Sequence, residues 1–359
     1  MTEQATPTPR ANVASIPAYV AGRPPSVQPG MTSYKLSSNE NPYPPLPGVV
    51  EAATAAVAAM NRYPDMGSSA LYAALSERLG VPVTDLVVAT GSVALLYQLP
   101  TAFCEPGDEV VYAWRSFEAY PISVTASGAV SVQVPVLADG RHDLAAMLAA
   151  ITDRTKIVMV CTPNNPTGPS VTQSELDEFI AAVPPHIVIV VDEAYLEFVS
   201  MDDAVDGLAT YRAHQNVVLF RTFSKAYGLA GFRVGYAVAQ EPIAEAMRAV
   251  SLPFGVNAVA QAAAIASLAA RDELLERVDA LVVERARVYA ALQKQGWNLP
   301  EPQGNFVWFA LGERTVEFAA AADTAGVTVR PFAGEGVRVS IGEPEANDRM
   351  IEVAGGFLR

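Results

Sequence analysis

The stretch FRTFSKAYGLAGFRVG, residues 220–235, sets one lysine among hydroxyls and glycines, with an arginine eight residues further on. A free lysine amine has a pKa near ~10.4 and is a poor nucleophile at neutral pH. Burial close to other cations lowers that value and lets Lys225 condense with an aldehyde. Thr222 and Ser224 offer hydroxyl donors beside it, and Arg233 offers the planar fork that matches phosphate oxygens. An aldehyde carrying a phosphate would satisfy both halves of the stretch. Taken alone, the same residues also describe a solvated lysine in a glycine-rich turn.

Other segments supply matching chemistry. In VVDEAYLEF, Asp192 ends a very apolar strand and Tyr195 follows three residues on. A buried carboxylate without a partner is costly, so a cation belongs nearby. A protonated pyridine nitrogen is such a cation, and keeping it protonated makes the ring an electron sink. Pyridoxal 5′-phosphate combines that ring with the aldehyde and the phosphate. Tyr195, and the amide of Asn165 in CTPNNPTG, can then reach the ring's phenolic oxygen. The plain alternatives are Asp192 as a helix N-cap and Asn165 as turn chemistry. ATGSVALLYQL reads as a strand end, a glycine and a helix start, so Gly91, Ser92 and Val93 can cradle a phosphate with free N–H groups. Ser92 as a simple N-cap accounts for the same pattern. Phe117 in YAWRSFEAYP can stack on the ring or pack in the core.

These residues need elements to hold them. Strands are expected at DLVVAT, DEVVYA, AVSVQVP, TKIVMVC, HIVIVVD, NVVLFRT and FRVGYAVA, with helices between them. Their continuous apolar runs imply burial on both faces, as in an α/β fold with a mostly parallel, seven-stranded sheet wrapped by helices. Beyond about Phe254 the pattern changes. A helical stretch from about Asn257 to Gln295 precedes GNFVWFAL, a helix near TVEFAAAADTAG, then VTVRPF and VRVSIG. The expected organisation is an N-terminal arm over 1–30, a large domain over 31–255 and a smaller α+β domain over 256–359. In open α/β sheets, ligands sit at the carboxyl ends of strands. Gly91, Ser92, Asn165, Asp192, Tyr195, Ser224 and Lys225 all fall at such ends, which points to one shared site.

Composition removes several function classes. The formal charge is −14 over 359 residues, half of them apolar, so a nucleic-acid backbone or an anionic membrane meets no basic footprint. Apolar runs such as HIVIVV are far shorter than the about 20 residues of a membrane span. The first residues lack the basic start and apolar core of a signal peptide and read as an arm rich in Pro, Thr and Ala. Cys104 and Cys161 lie in different segments without metal-ligand spacing, which fits a reducing cytoplasm and no metal site. His142, His186 and His214 are isolated from acids and nucleophiles, which argues against Ser-His or Cys-His catalysis.

Together, TFSKAYGLAGFRVG, NNPTG, DEAYLEF, RYPD and VRPF…GVRVSIG resemble the fold-type I pyridoxal-phosphate aminotransferases, nearest the histidinol-phosphate aminotransferase group. Within it, WRSFEAYP and NRYPD…GSVALL are similar to the actinobacterial aromatic (phenylalanine) aminotransferases. The likeness covers nearly the whole chain in order. It implies that Lys225 forms the covalent link to the cofactor and later shuttles the α-proton, that Asp192 partners the pyridine nitrogen, and that Asn165 and Tyr195 contact the phenolic oxygen. It implies a phosphate cup of Gly91, Ser92, Val93, Thr222, Ser224 and Arg233. Tyr63 of RYPD matches a tyrosine reaching the phosphate from a neighbouring subunit, so a homodimer with shared active sites is implied. Arg338 matches a carboxylate clamp, and Tyr19 is similar to an arm tyrosine that closes over the substrate from the partner. Phe117 stands where histidinol-phosphate enzymes carry a tyrosine, and the GSVALL cup lacks their acidic or amide residue after Gly-Ser.

Ping-pong transamination is therefore expected, with an aromatic amino acid as donor and 2-oxoglutarate as acceptor. Histidinol phosphate is the alternative donor. Arg330 fits either a second phosphate ligand or an ion-paired surface residue, while Phe117, Tyr19 and Phe332 can line an aromatic slot. A decarboxylase on the same fold would share every cofactor residue. A non-catalytic regulator would need a basic DNA-binding module at one end, for which the acidic chain leaves no room before Asn39.

Overall fold

The apolar runs become twelve short strands in the computed structural model, which describes residues 6–25 and 30–358. Residues 1–5 and 26–29 of the expected arm, and Arg359, lie outside the described residues. In chain order the strands are β1 (Tyr34–Lys35), β2 (Leu86–Ala89), β3 (Glu109–Trp114), β4 (Val130–Pro135), β5 (Thr155–Cys161) and β6 (Val188–Asp192). They continue with β7 (Val217–Thr222), β8 (Gly235–Val238), β9 (Phe306–Ala310), β10 (Val327–Thr328), β11 (Arg330–Phe332) and β12 (Gly336–Ser340).

Seven of these strands form one sheet in the order β2-β8-β7-β6-β5-β3-β4. Every pairing is parallel except those of β8, which runs antiparallel to both β2 and β7. Strand alternation then sorts side chains to two cores. Ile189 and Val191 of β6 join one apolar cluster, while Val188 and Val190 join the other. Asp192 shares the second face, where the helix Ala119–Ser127 packs with Tyr120 buried. Arg221 and Glu193 share the opposite face, where they form a buried ion pair at 2.7 Å. The two-residue side-chain period thus separates neighbouring acids, one towards the strand-end cavity and one away from it.

A three-stranded antiparallel sheet, β11-β12-β9, follows in the C-terminal part. Arg330 of β11 pairs in register with Arg338 of β12, so both side chains leave the same face. The chain also crosses between the parts: β1 pairs in parallel with β10, which carries the following segment, residues 37–39, alongside Ser340. The long helical stretch expected after Asn257 is two helices, Ala258–Ala269 and Arg271–Gln295. Near the N-terminus, Arg10 and Asn12 donate to the carbonyls of Ala126 and Thr125, fastening the short helix Ala11–Ala14 to the helix end. Among the described residues, no helix is long and apolar enough to cross a membrane.

One close approach decides where the strand-to-helix turn after β2 lies. A Cβ on Gly235 of β8 would fall 2.6 Å from the Ser92 nitrogen and 2.9 Å from the Arg221 oxygen. Backbone cannot step aside as a flexible side chain can. Gly235→Ala is therefore expected to lower stability by about 1–3 kcal/mol, read as a reduced Tm in thermal unfolding. An unchanged Tm would show that the packing at this crossing is looser than these distances imply.

Candidate active site

Lys225 lies on the turn after β7, which is tied back by Leu229 N–H to Phe223 C=O and by Gly228 N–H to the Lys225 carbonyl. Phe223 and Ala226 bury completely on either side and anchor the turn. The amine itself donates to the Ser38 carbonyl at 2.9 Å and lies 5.8 Å from the centre of the Tyr195 ring. Burial, reinforced by Arg338 and Arg233 and opposed by Glu40, brings its pKa down to about 7. A neutral amine near pH 7 is a nucleophile and a base, unlike an ordinary lysine.

Asp192 ends β6 inside the same cavity. Its carboxylate accepts from Tyr120 Oη at 2.7 Å and from the Ala194 N–H at 3.3 Å. Burial lifts its pKa to about 6 against those two hydrogen bonds, and Glu193 adds to the rise. No cation of the chain pairs with it among the described residues. Its side chain does not cap a helix: the short turn that follows, Leu196–Phe198, has Tyr195 at its N-cap position. Tyr195 Oη accepts from Asn39 Nδ2 at 2.9 Å, which leaves its own O–H as a donor. Asn165 Oδ1 accepts from Arg338 at 2.6 Å, and arginine can only donate, so the Asn165 NH₂ group is the end left to give.

At the other end of the cavity the groups suit an anion. Helix Ser92–Phe103 begins there with Gly91 at its N-cap position and no side-chain cap, so Ser92 is the first helical residue rather than the cap. Gly91 has φ 77°, and a Cβ there would fall 2.6 Å from Arg233 Nη2. Arg233 is itself held at φ 57°, a left-handed conformation that costs a non-glycine residue roughly 1–2 kcal/mol. Its guanidinium donates to Ser224 Oγ at 3.2 Å and to the Ala230 carbonyl at 3.0 Å. Ser92, Val93, Thr222 and Ser224 line the same corner.

Arg338 and Arg330 occupy the wall facing Lys225. Arg338 is buried, donates to Asn165 and to the Ser37 carbonyl, and has an Nε without a partner. The rings of Phe306 and Phe332 lie 5.7 and 6.0 Å from its guanidinium carbon. Arg330 is buried as well and pairs with Glu118 at 2.6 Å, so it is not an ion-paired surface residue. Phe117 lines the cavity edge-on to Tyr120, and Tyr19 reaches the lining from the arm of its own chain. Arg10 and Asn12, earlier in the same arm, are bonded to this chain's own helix, and the expected service of Tyr19 to a partner's site belongs with the dimer proposed below. The cavity measures about 210 Å³. Tyr63 is apart from it, 84% exposed and packed on Phe254.

Several participants escaped the sequence reading. Ser38 and Asn39 lie in a proline-rich passage that reads as turns. Asn39 sits at φ 52° and is fixed by Ser340 and by Asn305 donating to its carbonyl. Glu118 and Tyr120 follow Phe117 in a segment whose aromatic residues attract notice, but nothing local shows which strand end they face.

The arrangement joins a depressed amine, a carboxylate lacking a cation, an anion-binding corner and a buried arginine among rings. Three comparisons bear on it. The family model for aminotransferase class I and II matches residues 32–353. The chain is 57% identical to the aromatic amino acid aminotransferase of Streptomyces avermitilis over 356 residues, 99% of each chain. It is 53% identical to the protein of that name from Thermobifida fusca, covering 99% of this chain and 98% of the relative. Among solved structures, the histidinol-phosphate aminotransferase of Sinorhizobium meliloti in complex with pyridoxal-5′-phosphate superposes with a TM-score of 0.86 at 27% identity, over 98% of this chain and 99% of the other.

The lowered amine gives a direct test. In cofactor-free protein, reductive methylation of Lys225 followed by peptide mass spectrometry is expected to be half-maximal near pH 7, against an ordinary 10.5. Because folding depresses this pKa, the unfolded chain binds the extra proton, so the group's contribution to stability improves as pH rises through that interval. A labelling midpoint above pH 9 would contradict the burial argument.

Proposed function

The chain belongs to the aminotransferase class I and II family, and on that premise we propose that it moves the amino group of an aromatic amino acid, Phe, Tyr or Trp, to 2-oxoglutarate. The observation that carries the reading is Lys225 and Asp192 meeting in one cavity with Arg338 amid aromatic rings. Full-length relatives named aromatic amino acid aminotransferases support the donor class.

The residues fit pyridoxal 5′-phosphate. The cation-free carboxylate of Asp192 suits a protonated ring nitrogen, and the cradle under Gly91 that a Cβ would fill suits a phosphate. When bound, the cofactor supplies an aldehyde for an amine and a ring that withdraws electrons from the substrate α-carbon. Asp192 would keep the ring nitrogen protonated, with Tyr120 orienting its carboxylate. Asn165 and Tyr195 would donate to the phenolic oxygen, and Phe117 would be available to the ring. Gly91, Ser92, Val93, Thr222, Ser224 and Arg233 hold the phosphate. Lys225 would hold the cofactor through its amine and, as the base of the site, would take and return the proton at the substrate α-carbon. Arg338 grips the α-carboxylate, Arg330 backs that wall, and Tyr19 closes the mouth against water.

We further propose a cytoplasmic homodimer in which Tyr63 serves the partner's phosphate corner. Exposed Met60, Tyr63, Met66, Leu252 and Phe254 support a covered face, two of them, Met66 and Leu252, bordering a cleft of about 970 Å³. The division into arm, large domain and smaller domain at 30 and 255 stays part of this proposal, with Tyr34–Lys35 pairing across it. Arg330 beside Arg338 is the one observation that favours histidinol phosphate as donor instead.

Lys225→Ala is expected to retain the fold and lose turnover by about 10²–10⁴-fold without added amine. Normal turnover would remove the lysine from the proton step. Tyr120→Phe is expected to cost roughly tenfold or more in kcat and to move the acid limb of the rate profile to higher pH, since a charge-assisted hydrogen bond is lost from Asp192. The donor class is tested by kcat/KM for phenylalanine, tyrosine and histidinol phosphate with 2-oxoglutarate. A specificity constant well above the others for histidinol phosphate would overturn the aromatic assignment and leave the chemistry standing.

A further inference from the structure

Arg330 and Arg338 are cross-strand partners on β11 and β12 and both line the cavity. Two guanidiniums beside Lys225 would make a wall suited to a doubly charged group such as a phosphate monoester. Their partners differ, however. Among the described residues Arg338 donates only to neutral acceptors, the Asn165 amide and the Ser37 carbonyl, and its Nε is bare. Arg330 donates to the Glu118 carboxylate at 2.6 Å, with side-chain exposures of 7% and 22%. That pair is mostly out of water, so solvent screens it far less than a surface pair.

Glu118 is placed to do this by its helix. It occupies the N-cap position of Ala119–Ser127 but makes no capping hydrogen bond, so its carboxylate is committed to Arg330. Phe117, the residue before it, lines the same cavity, and the Phe332 ring lies 4.9 Å from Arg330.

We propose that Glu118 sets the donor class by cancelling the charge of Arg330. The wall then offers one uncompensated cation, Arg338, for an α-carboxylate, and a neutral ring-lined surface for the rest of the donor. A second anion reaching Arg330 must displace Glu118 or sit beside it, and like charges in a desolvated site cost heavily. The same competition applies to the distal carboxylate of a dicarboxylate acceptor. This assignment rests on the aromatic reading given above and names Glu118 as the residue that enforces it.

The test is calorimetric binding to holoenzyme of 3-phenylpropanoate and glutarate, which have no amino group and bind without reacting. Glu118→Gln keeps the shape and removes the charge. It is expected to shift the ratio of the two dissociation constants at least about tenfold towards glutarate, and adding Arg330→Gln should bring the ratio back to near the wild-type value. Arg330→Gln alone, which leaves Glu118 facing the mouth uncompensated, is expected to shift it about tenfold the other way, and it carries the test if the first variant does not fold. An unmoved ratio in Glu118→Gln, or a shift that survives in the double variant, would overturn the assignment of Glu118. Wild-type enzyme that binds glutarate but not 3-phenylpropanoate would instead remove the aromatic reading, and this proposal with it.

Discussion

The site depends on a carboxylate taken out of water with no positive partner among the described residues. Asp192 ends a strand whose every residue is buried, and only a tyrosine hydroxyl and one backbone N–H answer its charge. Burial alone penalises the ionised form, as its upward-moved pKa shows. A fold that tolerates this cost gains a place where a cationic ring is held more firmly than any solvated aspartate could hold it. Lys225 carries the mirror-image cost, a buried amine pushed towards neutrality. Each group is poised for the opposite partner.

Geometry keeps the two from neutralising one another. The Lys225 amine is bonded to the Ser38 carbonyl, while the Asp192 carboxylate is turned to the helix that carries Tyr120. The neighbouring acid, Glu193, is sent to the far side of the sheet, where Arg221 neutralises it. Strand alternation therefore separates a structural ion pair from a functional carboxylate one residue away.

The second sheet contributes the substrate wall and also fixes the first-sheet site. Ser340 of β12 holds Asn39, which in turn holds Tyr195, and Arg338 of the same strand holds Asn165. A displacement of β12 would thus reach both residues suited to the phenolic oxygen. The pairing of β1 with β10 ties the segment before Asn39 to the C-terminal part.

Much of this was legible in the chain itself. Continuous β-branched runs announce a sheet covered on both faces, because only such burial makes alternation unnecessary. Gly91, Asn165, Asp192 and Lys225 stand out since each follows an apolar run where strands end, and their chemistry is peculiar to them rather than to their neighbours. Tertiary structure alone decided the rest. Tyr120, Asn39 and Glu118 act through partners 72, 156 and 212 positions away, and no local pattern encodes such a meeting. Arg330 read equally as a surface charge or a ligand until register put it beside Arg338 and packing brought Glu118 against it. Sequence fixes what a side chain is able to do; which of its possible partners it meets is settled by how strands pair and helices pack.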